Sequence, residues 1–164
     1  MKKLLLLSAL LIFACSSDDD TTQLFLEKYD GVMWGHPENE TFNFDGGSEF
    51  SDWWITFNST GITYLEIVDC SGALQGTYAA YEYSEVWGEA DSEGNIGTIQ
   101  EETEDSLTII YSDGWAVTWF VSPDGNFIAP IQVGEPEPNW DTINDIEVFC
   151  IRGEPFVDFS LNGC

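Results

Sequence analysis

From residue 32 onward the chain falls into short runs rich in aromatic and β-branched residues, each closed by a turn of Gly, Asp, Asn or Ser. That rhythm constrains the fold more than any other feature. The runs cover residues 32–36, 41–45, 52–58, 62–69, 77–89, 95–101, 106–112, 115–122, 126–133 and 145–151. Successive side chains of a strand point to opposite faces. In keeping with that, Trp115, Val117, Trp119 and Val121 share one face while Ala116, Thr118 and Phe120 share the other. Likewise Thr77, Ala79, Tyr81 and Tyr83 oppose Tyr78, Ala80 and Glu82. The connections, among them Asp45-Gly46-Gly47, Asn58-Ser59-Thr60-Gly61, Asp91-Ser92-Glu93-Gly94 and Ser112-Asp113-Gly114, are tight and favour antiparallel neighbours. Gly134-Glu135-Pro136-Glu137-Pro138 cannot continue a central strand. The expectation is an all-β protein, an up-and-down antiparallel β-barrel of about 8–10 strands, because closure hides the two edges of such a sheet. A short N-terminal helix precedes it, capped by Thr21 or Thr22, running through Leu24, Phe25, Leu26 and Lys28, and ending before Gly31.

The first twenty residues set location. Lys2 and Lys3 lead into the apolar run of residues 4–14, which stops at Cys15. A charged start, an apolar middle and a small-residue end make an export signal. The run is too short to span hydrocarbon, which takes roughly 20 residues. Ile12-Phe13-Ala14-Cys15 resembles the lipobox of bacterial lipoproteins, with Phe13 departing from its usual small residue. The resemblance implies removal of residues 1–14 and diacylglycerol on Cys15. Each buried methylene contributes about 0.8 kcal/mol, so two or three chains anchor almost permanently. Ser16-Ser17-Asp18-Asp19-Asp20 is similar to the acidic export signal of surface lipoproteins of the Bacteroidota, implying a lipid-anchored protein on the outer membrane that faces the exterior. The reading is three segments: signal peptide 1–14, acylated cysteine and acidic tether 15–23, and one β domain 24–164.

Without the signal, Lys28 and Arg152 stand against thirty acids, 2 minus 30, or −28. Such a field repels phosphate backbones, so no nucleic-acid partner is expected, and it repels anionic headgroups, so the lipid must hold the protein to the membrane. Seven Trp and 43% hydrophobic residues are too much apolar material for a disordered chain.

With Cys15 acylated, Cys70, Cys150 and Cys164 remain, and an exported chain can oxidise two of them; Cys70–Cys150 and Cys150–Cys164 are both plausible. Three scattered cysteines and one histidine, His36, lack the paired spacing of a zinc site. Asp91-Ser92-Glu93-Gly94-Asn95 and Asp45-Gly46-Gly47-Ser48-Glu49 place oxygen ligands for calcium on turns, but neither matches the twelve-residue loop, and turn chemistry explains both. No metal and no cofactor are expected. Thirty acids supply any carboxylate pair and so argue for none, and no Gly-x-Ser-x-Gly elbow aims a serine. The chain is not expected to be an enzyme.

Trp53 and Trp54 are adjacent, so one indole faces the core and the other points outward, where an exposed ring serves sugar stacking or protein docking. Trp53, Trp54, Trp115 and Trp119 are the candidate ligand or docking aromatics. The opening Phe25-Leu26-Glu27-Lys28-Tyr29-Asp30-Gly31-Val32-Met33-Trp34, followed by hairpin after hairpin, resembles the lipocalin-like domains of short Bacteroidota lipoproteins. Lipocalins carry Gly, one residue, then Trp at the first strand; here two residues separate Gly31 from Trp34. The resemblance implies a small barrel, Trp34 at its floor, and an apolar ligand. The expected function is therefore a surface lipoprotein that binds a small apolar ligand or serves an outer-membrane protein assembly as an accessory; a surface glycan-binding module is the alternative and a hydrolase a distant third.

Overall fold

The computed structural model describes residues 23–35, 41–44, 47–69, 78–145, 149–155 and 159–161. Residues 1–22, with the signal and all of the tether but its last residue, His36, Cys70 and Cys164 lie outside them, as do Asp45 and Gly46 of one calcium candidate. The elements are α1 (Phe25–Lys28), β1 (Met33–Gly35), β2 (Thr41–Phe44), β3 (Gly47–Asn58), β4 (Gly61–Asp69), β5 (Tyr78–Val86), β6 (Gly97–Glu102), β7 (Ser106–Tyr111), β8 (Ala116–Val121), β9 (Phe127–Gln132), a 3-10 helix (Trp140–Asp145), β10 (Cys150–Arg152) and β11 (Phe159–Ser160). Among the described residues no helix is long and apolar enough to cross a membrane.

The strands form a curled, open antiparallel barrel. Hairpins join β3 to β4 to β5 and β6 to β7 to β8 to β9, while β10 pairs with both β9 and β1, and β1 pairs with β3. Walking from β5 through β4, β3, β1, β10, β9, β8 and β7 to β6, each neighbour is antiparallel. One junction stays open. β5 and β6 are consecutive in the chain but share no ladder; the pairing between them is confined to the connecting loop, with an isolated bridge from Ala90 to Ile96 and a bond from the Gly88 amide to the Gly97 carbonyl. The 91–94 turn was expected to make a hairpin there. The turn itself does form, with Asp91 Oδ1 accepting the amides of Glu93 and Asn95 and the Asp91 amide bonding the Asn95 carbonyl, all at 2.8 Å, but the antiparallel pairing ends within the loop and does not run on as a ladder between β5 and β6. The same edge of β5 that faces the seam carries β11 in parallel at its first residues, with Phe159 opposite Tyr78, a pairing outside the up-and-down pattern, while the opposite edge is laddered to β4.

Two further corrections concern local structure. The last strand was expected over 145–151; a strand carrying Cys150 is present there as β10, but it begins at Cys150 among the described residues, and Asp145 instead ends the 3-10 helix, where Asn139 Oδ1 accepts the Asp141 amide and the Asn139 carbonyl the Thr142 amide. At the N-terminus Leu24, not a threonine, occupies the N-cap position, and its side chain caps nothing. The orphan amides of α1 are satisfied from across the molecule, Phe25 donating to the Thr103 carbonyl and Leu26 to Glu102 Oε1, both at 2.7 Å.

Helix α1 plugs one end of the barrel. Gly31 takes φ +70°, a left-handed conformation that lets the chain turn from α1 into β1 while its amide bonds the Phe57 carbonyl. Phe25 packs edge-on to Phe57 at 5.3 Å, Phe57 to Trp119 at 5.2 Å, and Tyr29 to Trp34 at 5.8 Å. Trp34 is fully buried beside the plug. With Leu107, Ile109, Val117, Val121 and Ile128 these rings fill the interior at this end. A second cluster lies on the opposite face of β3 to β5, formed by Trp54, Leu65, Ile67 and Ala80.

Candidate functional site

The open junction is lined by rings that the strand period places on the inner face. In the β4–β5 ladder Tyr64 pairs with Tyr83, Glu66 with Tyr81 and Ile62 with Glu85, so Tyr81, Tyr83 and Glu85 face the same way as Tyr64. A fully closed barrel would bury that face of β5; here Tyr81 remains 48% and Tyr83 51% exposed. Tyr64 and Tyr83 stack at 5.0 Å and 16°, and Trp53 continues the row, 6.0 Å from Tyr64. On the far side of the seam Tyr111 stacks on Trp115 at 5.0 Å, and Trp115 is itself 48% exposed.

One carboxylate joins the two halves. The Tyr111 hydroxyl donates to Glu85 Oε2 at 2.9 Å, and Glu85 is half-buried. Both neighbouring phenols are held well above the ordinary tyrosine value of 10.0, Tyr64 and Tyr111 alike by burial first and by the negative charge of Glu85 second. Gly97, opposite Tyr111 in the β6–β7 ladder, leaves room for that ring: a β-carbon there would stand 3.2 Å from Tyr111 Cε1. The result is an array of Trp53, Tyr64, Tyr83, Tyr111 and Trp115 beside Glu85, half open to solvent, with Glu66 on the same face in register with Trp53 and Tyr81.

The aromatics singled out from sequence divide between this array and the core. Trp53 is half-buried in the array and Trp115 forms its exposed flank. Trp119 lies in the barrel interior, 6% exposed. Trp53 and Trp54 do take opposite faces, but the expected exposed indole is absent: Trp54 is 0% exposed. Its ring lies against Gly35 and Gly153, and a β-carbon at Gly35 would collide with it, so glycines in β1 and beyond β10 make the space that buries an outward-facing indole. Sequence reading missed Tyr64, Tyr81, Tyr83, Glu85 and Tyr111 as site residues. The signal was present in the alternation Tyr81, Tyr83, Glu85, three large polar-tipped groups at every second position of one strand.

Cys150 is a free thiol with no exposed surface, enclosed by the apolar interior, so neither pairing that used it is formed. Burial pushes the thiol up to about 12. Among the described residues no group of three or more His, Cys, Asp or Glu side chains converges as metal ligands. At the plug end Lys28 bonds Glu104 at 2.8 Å and Asp105 at 2.7 Å, and Tyr29 donates to Asp105 at 3.1 Å, a clasp that ties α1 to the β6–β7 turn. On the outer face a groove of about 450 Å³ runs between Ser106, Phe120, Pro123 and the 137–140 segment with Trp140.

Searches against family models, curated proteins and solved structures each returned no match to this chain.

Proposed function

We propose that the chain is a non-enzymatic, lipid-tethered binding module of the bacterial envelope, anchored through Cys15, that takes a small amphipathic ligand on the aromatic array at the β5–β6 seam. The observation that carries the binding half is the exposure of Tyr81, Tyr83 and Trp115 on rings whose neighbours, Tyr64, Tyr111 and Trp53, are held in place by stacking. Rigid, half-open aromatic surface offers a ligand a large contact area at little ordering cost. The interior at the plug end is filled by Phe25, Phe57, Trp34 and Trp119, which favours a ligand at the seam over one deep in the barrel. The tether half rests on the sequence alone, on residues 4–20.

The test is fluorescence of the neutral apolar probe N-phenyl-1-naphthylamine added to full-length protein in a polyoxyethylene detergent. The proposal expects saturable enhancement above the detergent blank, lost in the Tyr83→Ala/Trp115→Ala double variant. No enhancement above the blank overturns the site. Radiolabelled palmitate incorporated in the parent protein and absent from Cys15→Ala tests the anchor. A second reading, a surface glycan-binding module, draws on the same three exposed rings, since the C–H face of a sugar stacks on an aromatic plane; an oligosaccharide array that lights up for the parent and not for the double variant favours it.

A further inference from the structure

We infer that the ligand of this array is a small organic ammonium ion, seated over the Tyr83 and Trp115 faces with its charge toward Glu85. The inference rests on the proposed site and names the class of ligand it takes.

Charge accounting leads to it. Glu85 is half-buried, and the polar groups that meet it, Tyr111, whose hydroxyl donates to it, and Tyr64, are neutral phenols, which polarise the carboxylate without cancelling its charge. Among the described residues, the cations are placed elsewhere. Lys28 is committed to Glu104 and Asp105 at the plug, beyond the opposite end of β7 from Tyr111. Arg152 is on β10, the middle strand of the walk from β5 round to β6 and so as far from the seam as the sheet allows. Lys2 and Lys3 lie outside the described residues. A partly desolvated carboxylate costs free energy unless a positive charge answers it, and the chain's net charge of −26 draws cations from solution toward it.

The rings decide which cation. A hydrated metal ion would gain from oxygen ligands, and no cluster of them converges here among the described residues. Tyr81, Tyr83 and Trp115 instead present exposed π faces, whose negative quadrupole attracts an alkylammonium group while the ring surface buries its carbon. A neutral ligand would use the faces and leave Glu85 unanswered; a carboxylate or phosphate ligand would be repelled by both.

The experiment is a tryptophan-fluorescence titration of the full-length protein in polyoxyethylene detergent with choline and, separately, with its uncharged carbon isostere, at ionic strength held constant with sodium chloride. The inference expects choline to bind about five- to thirtyfold more tightly than the isostere, and Glu85→Gln to remove most of that ratio. Equal affinities for the two compounds, with N-phenyl-1-naphthylamine still bound, overturn the cationic ligand and leave the site standing. Failure of all three probes overturns the site itself. The comparison between choline and its isostere is made on the unaltered chain, so it holds even where the Glu85 variant does not fold.

Discussion

The hydroxyl of Tyr111 donates to the carboxylate of Glu85 at 2.9 Å, fastening β7 to β5 at the junction where consecutive strands are not laddered. Elsewhere round the barrel backbone pairs hold neighbours together; here a side-chain bond stands in for them. Tyr111→Phe removes the donor from a half-buried charge, a loss of about 1.5–3 kcal/mol. Urea denaturation is expected to show that decrease, with a smaller one when Glu85→Gln is already present. Equal losses in both backgrounds would mean the pair is not coupled.

Alkaline pH should open the same seam. Tyr64 and Tyr111 have folded pKa values raised above 10.0, chiefly by burial, so between pH 10 and their folded values the unfolded chain releases protons that the folded chain keeps. The unfolded state then binds fewer protons, and stability falls as pH rises past 10, while it is fully present below that. Absorbance titration of the phenolates is expected to leave Tyr64 and Tyr111 un-ionised past pH 10 until the protein unfolds, and Tyr29, also raised by burial, to titrate late. Ionisation of all six tyrosines near pH 10 with the fold intact would contradict it.

The plug depends on packing more than on charge. Phe25 is fully buried against Phe57 and Tyr29, so Phe25→Ala should cost about 3–5 kcal/mol. Lys28 makes two ion pairs, but Glu104 and Asp105 are half exposed, and Lys28→Met should cost under about 1 kcal/mol. Thermal melts of the two variants check the order; a larger loss for Lys28→Met would reverse the account of what holds α1.

Cys150 should behave as a core residue. With no exposed surface and its thiol pushed up to about 12, it is expected to resist a disulfide reagent at pH 8 in the folded protein and to react within minutes in denaturant. Fast labelling of Cys150 in the native state, located by peptide mass spectrometry, would contradict its burial.

Much of this fold could be read from alternation. Along β8, Val117, Trp119 and Val121 are buried while Ala116, Thr118 and Phe120 are half-buried, as period two requires. The grouping of Tyr81 with Tyr83 against Glu82 on β5 was legible in the same way. The break beside it was not, because Asp91-Ser92-Glu93-Gly94 reports the geometry of its own turn and says nothing about whether the strands leading from it stay in reach. Nor could alternation say what covers an outward face: Trp54 is buried because Gly35 and Gly153, distant in sequence, yield space to its ring. The array was missed for a related reason, since Tyr64, Glu85 and Tyr111 meet only through the curl of the sheet and carry no local motif.

The seven indole N–H resonances give the most direct test of where a ligand sits. In a two-dimensional nitrogen–proton spectrum recorded through a choline titration, the indoles of Trp53 and Trp115 should shift together along one saturation curve, while those of Trp34, Trp54 and Trp119 stay still. Shifts confined to Trp34 and Trp119 would put the ligand inside the barrel, and no indole shift at all would contradict a site at the seam.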